Sequence, residues 1–152
     1  MFMKKLLLSL LTLTVMVSLF SCDKDNGGDN PDKTKTELLS QQSWKFSSAT
    51  AGGTDVSAFV DDCYKDNIIT FSATGGTGNV NEGANVCSPT TAGAFTWSFQ
   101  SGETELQISA SLFPGGSGNF EVISLNETTL VIAQDLTIAP APPTNVRITL
   151  VH

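Results

Sequence analysis

Apolar side chains recur at every second position in short segments along most of the chain. The segment at residues 95–100 is the clearest, because three aromatic residues alternate there with three polar ones. A period of two is typical of antiparallel strands with one face in the core and one face in water. Clusters of Gly, Pro, Asn and Ser separate the segments, as turns require. We predict strands at residues 44–50, 67–72, 79–82, 95–100, 104–109, 119–125, 128–133 and 145–151.

These strands predict an all-β fold whose sheet edges must be hidden from other chains. Closure into an eight-stranded antiparallel up-and-down barrel removes the edges completely, and a β-sandwich is the alternative. The strands are about five to seven residues long, shorter than the roughly 9–11 residues of a membrane-crossing strand, so we expect no membrane pore. Residues 36–42 are the segment for which we predict a short helix.

The inward-facing positions of the predicted barrel hold large apolar residues. An eight-stranded barrel is either just filled by its side chains or able to hold one small ligand, and the sequence leaves both possibilities open. The candidates for the interior, and therefore for ligand contact, are Trp44, Phe46, Ile69, Phe71, Phe95, Trp97, Phe99, Leu106, Ile108, Leu130, Ile132 and Ile148.

The first residues have the pattern of a secretory signal. Lys4 and Lys5 precede an apolar run at residues 6–20, which is shorter than the roughly 20 residues needed to span a bilayer. We predict a signal peptide at residues 1–21 that is cleaved before Cys22. Residues 23–35 contain no Ala, Val, Ile, Leu, Met or aromatic side chain. We therefore predict a disordered acidic tether at residues 22–36 and a folded domain at residues 37–152.

Charge and cysteine usage narrow the choice of partners. After loss of Lys4 and Lys5, fifteen acidic residues face six basic ones, which argues against nucleic acid and anionic headgroups as partners. Apart from Cys22, the cysteines are an even pair in an exported chain, Cys63 and Cys87. We predict a disulfide that contributes about 3 kcal/mol. Two free thiols are the alternative.

The residue types that catalysis and metal binding need are scarce. The only histidine is His152, so no serine or cysteine nucleophile has a base in a suitable position. There is no histidine cluster and no cysteine pair at zinc spacing. Asp61, Asp62 and Asp66 fit a solvated loop better than a cation site. We predict no enzyme, no metal and no cofactor.

Leu19-Phe20-Ser21-Cys22 resembles the lipobox of bacterial lipoproteins. The resemblance implies that Cys22 becomes a diacylglyceryl cysteine acylated with a fatty acid such as palmitate, and that the membrane is a partner through this anchor. Two or more acyl chains hold a protein on a membrane lastingly, whereas a single acyl chain binds only marginally. The acidic stretch behind Cys22 resembles a signal that places lipoproteins on the outer face of the Gram-negative outer membrane. The expected location is therefore the cell envelope, with display on the surface.

Three segments carry a second resemblance: Ser43-Trp44-Lys45 opens the first strand, Cys63 to Asn67 leads into the second, and residues 121–132 form a strand, a short turn and a strand. Together they resemble the lipocalin-like domain of bacterial lipoproteins over about residues 38–151. The resemblance implies a barrel that binds a small apolar or amphiphilic ligand. The alternative is a solid barrel whose loops at residues 51–66 and 138–144 contact a protein or a glycan.

In lipocalins an arginine from the end of the barrel often packs on the opening tryptophan. The resemblance therefore implies a cation-π contact between Arg147 and Trp44, worth roughly 0.5 to 2 kcal/mol. The alternative is an outward-facing Arg147 on the polar side of the last strand.

Overall fold

A computed structural model of the chain describes residues 33–113, 115–137 and 143–152, and its sheet has nine antiparallel strands. The strands are β1 (Trp44–Ala51), β2 (Thr54–Asp55), β3 (Ile68–Ser72), β4 (Thr77–Asn81), β5 (Gly93–Gln100), β6 (Glu105–Ile108), β7 (Asn119–Leu125), β8 (Thr129–Leu136) and β9 (Thr144–Val151). Among the described residues, no helix has the length and apolar character needed to cross a membrane.

Eight of the nine strands follow one another around a closed ring. The order is β1, β3, β4, β5, β6, β7, β8, β9, and β9 pairs back onto β1 between Lys45–Val151 and Ala51–Val146. The remaining strand, β2, is a two-residue addition to the end of β1. The prediction of an eight-stranded up-and-down barrel is confirmed, and the pairing of β1 with β9 excludes the sandwich.

The strand boundaries differ from the prediction at several places. β4 begins at Thr77, two residues before its predicted start, because Gly75 and Gly76 adopt positive φ and complete the turn early. β8 extends three residues beyond its predicted end, to Leu136. The segment predicted as a plain loop at residues 51–66 contains β2, a single 3-10 turn at Ser57–Phe59 and the short helix α2 (Asp62–Lys65).

A short helix, α1 (Lys35–Ser40), begins one residue before its predicted start and inside the predicted tether. Thr34 caps it: the Thr34 hydroxyl accepts from the N–H of Glu37 at 3.2 Å, and the Glu37 carboxylate accepts from the N–H of Thr34 at 2.7 Å. Leu38 and Leu39 are 1 % and 0 % exposed and pack in the core. The helix therefore forms because a capping box starts it and two buried leucines hold it.

The predicted tether, residues 22–36, is wrong at its C-terminal end. Lys33 forms an ion pair with Glu127 at 2.8 Å, and α1 follows directly. The predicted signal peptide at residues 1–21, the predicted lipidation site at Cys22 and the predicted tether up to residue 32 lie outside the described residues.

The end of the barrel at which β1 begins, here called the helix end, is covered by α1. The indole Nε1 of Trp44 donates to the carbonyl oxygen of Leu39 at 2.8 Å, and Gln41 donates to the carbonyl oxygen of Glu127 in the β7–β8 turn. Lys35 reaches the carbonyl oxygen of Glu103 in the β5–β6 turn. The helix is thus tied to three sides of this end.

The predicted contact of Arg147 with Trp44 is wrong, and the outward alternative is confirmed. Arg147 is exposed on the outer face of β9. Trp44 instead stacks against His152, with ring centroids 3.9 Å apart, and His152 Nδ1 lies 2.8 Å from the carbonyl oxygen of Ser43. Arginine cannot reach the interior from that register, because side chains alternate between the two faces of a strand.

The opposite end, here called the loop end, is where β1, β4, β6 and β8 end and β3, β5, β7 and β9 begin, because the strands alternate in direction. The first two connections at this end are residues 52–67 and 82–92. A disulfide joins Cys63 in the first connection to Cys87 in the second, with Cα atoms 5.2 Å apart. The predicted disulfide is confirmed, and the two-thiol alternative is wrong.

Candidate functional site

The barrel interior brings together the residues predicted to face inward. The fully buried members share exposed fractions of 8 % or less and belong to one cluster: Trp44, Ile69, Phe71, Phe95, Trp97, Leu106, Ile108, Leu130, Ile132 and Ile148. Phe46 and Phe99 are partly buried and pack against the same cluster. Contact of these residues with a ligand stays a prediction.

Aromatic rings fill the side of the interior formed by β3 and β5. Phe71 lies edge-on to Phe95 and to Trp97, with ring centroids 5.4 Å and 5.7 Å apart. Trp97 makes the same kind of contact with Phe99 at 5.7 Å. Edge-to-face pairs are favourable beyond the area that they bury. This side of the barrel interior is therefore filled by the side chains of its own strands.

The loop end is filled in another way, by side chains of the β6–β7 connection. Leu112 and Phe113 are 2 % and 3 % exposed and join the core cluster. Phe113 meets Phe120 of β7 with ring centroids 6.4 Å apart. The alternating pattern does not predict either residue to be inward, since they lie outside a strand. The sequence does contain a signal for their burial, because they are two large apolar residues in a connection otherwise rich in Ser and Gly.

The path of this connection depends on local contacts. The hydroxyl of Ser111 donates to the carbonyl oxygens of Phe113 at 2.7 Å and Gly116 at 3.1 Å. Where the chain returns to β7, the carbonyl oxygen of Gly118 accepts from the N–H of Ile108 at 2.7 Å, and a Cβ at Gly118 would overlap the carbonyl oxygen of Ile108. The turn directs Leu112 and Phe113 into the core, and glycine is required where it closes.

A buried amide lies beside this connection. Gln134 of β8 is 6 % exposed, and its Oε1 accepts from the N–H of Ser117 at 3.0 Å. Its Nε2 is buried and has no hydrogen-bond partner. Gln134 is missed by the sequence prediction, because the predicted strand ends at residue 133 and a single polar residue after it does not stand out in the sequence.

A second buried polar group, Glu82, organises the β4–β5 connection. Glu82 is 4 % exposed, and its carboxylate accepts from the hydroxyls of Thr90 at 2.6 Å and Thr91 at 2.8 Å and from the N–H of Thr91. The Thr90 hydroxyl and then the Thr91 N–H hold the pKa of Glu82 below its ordinary value, against the opposing effect of burial. Glu82 therefore remains ionised and fixes this connection close to Cys87.

We expect Glu82→Gln to lower stability at pH 7 and to lower it progressively less toward pH 3. A carboxyl whose folded pKa is depressed stabilises the protein above its unfolded pKa, and that contribution is lost as the pH falls through the folded value. Urea midpoints from pH 7 to pH 3 measure the difference. Glu121→Gln, on an exposed residue of β7, is the control. A Glu82→Gln deficit that is the same at every pH would contradict this role.

Two of the acidic residues near α2, Asp62 and Asp66, have structural partners. Asp66 Oδ2 accepts from the backbone N–H groups of Ala84 and Asn85 at 2.9 Å each, and Asp62 pairs with Lys65 at 2.9 Å. Within the described ranges, no three His, Cys, Asp or Glu side chains form a group that could hold a metal ion. Asp66 links two connections of the loop end.

A depression of about 750 Å³ lies on the outer face of β5, β6 and β7. Its lining includes the exposed polar residues Gln107, Asn119 and Glu121. Such a lining suits water better than an apolar molecule. The barrel interior and its loop end therefore remain the candidate site.

Comparison with protein-family models gives a match. A family model described as a lipocalin-like domain matches residues 41–132, which is more than half of the chain and runs from just before β1 into β8. No curated protein matches the chain.

Proposed function

Because the chain belongs to the lipocalin-like domain family, we propose that it binds a small apolar or amphiphilic molecule at the loop end of its barrel. We propose further that lipid on Cys22 holds it on the outer membrane. The two parts fit together, because a tethered barrel can capture a ligand without leaving the envelope.

The observation that carries the proposal is the position of Leu112 and Phe113. They occupy the core at the loop end, yet they belong to a connection and not to a paired strand. Loops open at lower free-energy cost than the strands of a hydrogen-bonded sheet. A ligand can therefore take the place of these two side chains while the ring of strands stays intact.

The anchor is proposed from the sequence. The lipobox-like segment at residues 19–22 lies directly after an apolar run, and a polar stretch separates it from α1. With Lys33 paired to Glu127, the tether reaches the barrel at its helix end. This arrangement leaves the loop end free to face away from the point of attachment.

The chemistry proposed is binding without catalysis. His152 stacks on Trp44 at the helix end, far along the barrel from the connections at the loop end. Cys63 and Cys87 are joined to each other. Neither residue type is therefore placed to act as a base or a nucleophile at the candidate site.

A second candidate is a surface interaction module with a solid barrel. Phe59 and Val86 are 64 % and 69 % exposed, and they lie in the two connections that the disulfide joins. Large apolar side chains exposed on neighbouring loops are typical of protein contact sites. Ten of the twelve interior candidates are nearly inaccessible to water, and a filled interior is compatible with this function too.

The proposal is tested on the full chain purified from membranes of its natural host. The denaturing mass spectrum should show loss of residues 1–21 and a mass gain on Cys22 equal to the lipid. The native spectrum of the same sample should show additional non-covalent mass from a bound small molecule. A fluorescent fatty-chain probe should bind saturably in parallel.

The two spectra separate the two parts of the proposal. An unmodified Cys22 would contradict the proposed lipid anchor and would leave the proposed ligand binding unaffected. Absence of non-covalent mass together with absence of saturable probe binding would remove the ligand and favour the interaction module.

A further inference from the structure

We propose that the side-chain amide of Gln134 binds the polar head of the ligand, and that this head is a neutral hydrogen-bond acceptor such as an amide, ester, ketone or alcohol. This inference rests on the proposed function, because it assigns a ligand class to the same site.

Gln134 lies on the inner face of β8. Residues of β8 alternate, and Leu130, Ile132 and Leu136 on the same face are all buried in the core cluster. Across the ladder Gln134 pairs with Val146, which is 0 % exposed. The position is therefore one at which packing alone would favour an apolar side chain.

Only the oxygen of the Gln134 side-chain amide has a hydrogen-bond partner. Its Oε1 accepts from Ser117, whereas its Nε2, which has two N–H donors, is buried without a partner. A buried donor without a partner is costly and rare in folded proteins. A hydrogen-bond acceptor on a ligand would satisfy this donor. Ligand binding therefore explains the unpaired donor, whereas protein stability does not.

Gln134 also touches the connection that a ligand would displace. A Cβ added at Gly116 would lie 2.7 Å from Nε2 and 2.9 Å from Oε1, so the backbone of the connection passes directly over the amide. The same connection carries Leu112 and Phe113. A ligand that displaces these side chains therefore comes to lie beside Gln134, with its apolar chain toward Phe120.

The surrounding charges favour a neutral head. Among the described residues, no lysine or arginine is buried. The neighbouring charged residue, Asp135, is exposed on the outer face, where it accepts from Asn145 at 3.4 Å. A carboxylate inside the barrel would lose its hydration with no cation to compensate, whereas a neutral acceptor would lose much less.

The test compares decanamide with decanoate at pH 7, since the two share an alkyl chain and differ in the charge of the head. Binding to the full chain is followed by titration calorimetry. We expect the wild type to prefer decanamide. We expect Gln134→Leu to weaken decanamide binding about three- to tenfold, the usual range for one neutral hydrogen bond. Decanoate binding should change less.

Two controls separate a ligand contact from a structural role. Gln107→Leu, on the exposed face of β6, should leave both affinities unchanged. Gln134→Leu removes the unpaired Nε2 donor and also the Oε1 acceptor of the Ser117 N–H, so the ratio of the two affinities decides between the two roles. A purely structural glutamine would leave that ratio unchanged, whereas a ligand contact would reduce the preference for decanamide. If Gln134→Leu does not fold, Gln134→Met provides an unbranched side chain that lacks the donor.

Each outcome decides a different question. Equal decanamide affinities in the wild type and the Gln134 variant would overturn this inference while leaving the proposed function standing. A wild-type preference for decanoate would overturn the neutral head. Absence of binding of either compound to the wild type, together with no fatty-chain probe binding, would overturn the proposed function itself.

Discussion

Replacing Trp97 with alanine is expected to lower the free energy of unfolding by about 3–5 kcal/mol. Trp97 is 8 % exposed and makes edge-to-face contacts at 5.7 Å with Phe71 and Phe99. Its Nε1 also donates to the carbonyl oxygens of Ser72 at 3.2 Å and Thr77 at 2.9 Å. The truncation removes these contacts and leaves a hole that the paired strands around it cannot close. Urea unfolding followed by circular dichroism measures the loss.

Phe59→Ala is the matched control for Trp97→Ala. It also removes an aromatic ring, but Phe59 is 64 % exposed, so the expected change is within about 0.5 kcal/mol. If Trp97→Ala cost no more than Phe59→Ala, the β3–β5 side of the barrel would not be filled as described. Such a result would mean that ligand space exists there without any movement of the β6–β7 connection.

The double variant Cys63→Ser/Cys87→Ser is expected to unfold with a free energy about 3 kcal/mol lower than the wild type. The disulfide links positions 24 residues apart and restricts the unfolded chain. It also joins the connection that contains α2 to the one held by Glu82. The measurement is the urea midpoint of both proteins with and without a reductant.

The reductant serves as the internal control for the disulfide prediction. It should lower the midpoint of the wild type to that of the double variant and leave the double variant unchanged. Equal midpoints for the oxidised wild type and the double variant would contradict a stabilising disulfide. A reductant effect on the double variant would indicate a cause other than this bond.

The strands and their closure could be predicted from the sequence because each buries one face in the core. In β5, Phe95 and Trp97 are buried and the alternating residues Thr96 and Ser98 are exposed, so alternation alone locates the strand. The core leucines and isoleucines of β6, β8 and β9 follow the same rule. We predicted closure because an open sheet would leave two unpaired edge strands. The pairing of β1 with β9 removes both edges.

What could not be predicted depends on contacts without a period. Leu112 and Phe113 enter the core from a connection whose path is set by Ser111 and Gly118. No periodic pattern of apolar residues predicts such an insertion. The unpaired amide of Gln134 is a property of its surroundings and not of its own pattern. The tether boundary is a different case, because Thr34 and Glu37 have the spacing of a capping box and the start of α1 could therefore be predicted from the sequence.

The ladder between β1 and β9 determines when this fold can be completed. The two strands lie about a hundred positions apart in the sequence and close the ring side by side. Pairings between distant parts of a chain form slowly, because a long stretch must first be brought into place. Residues 144–151 must therefore leave the ribosome before the ring can close. Until then the growing polypeptide has an unpaired edge, and assembly finishes only after synthesis of the last strand.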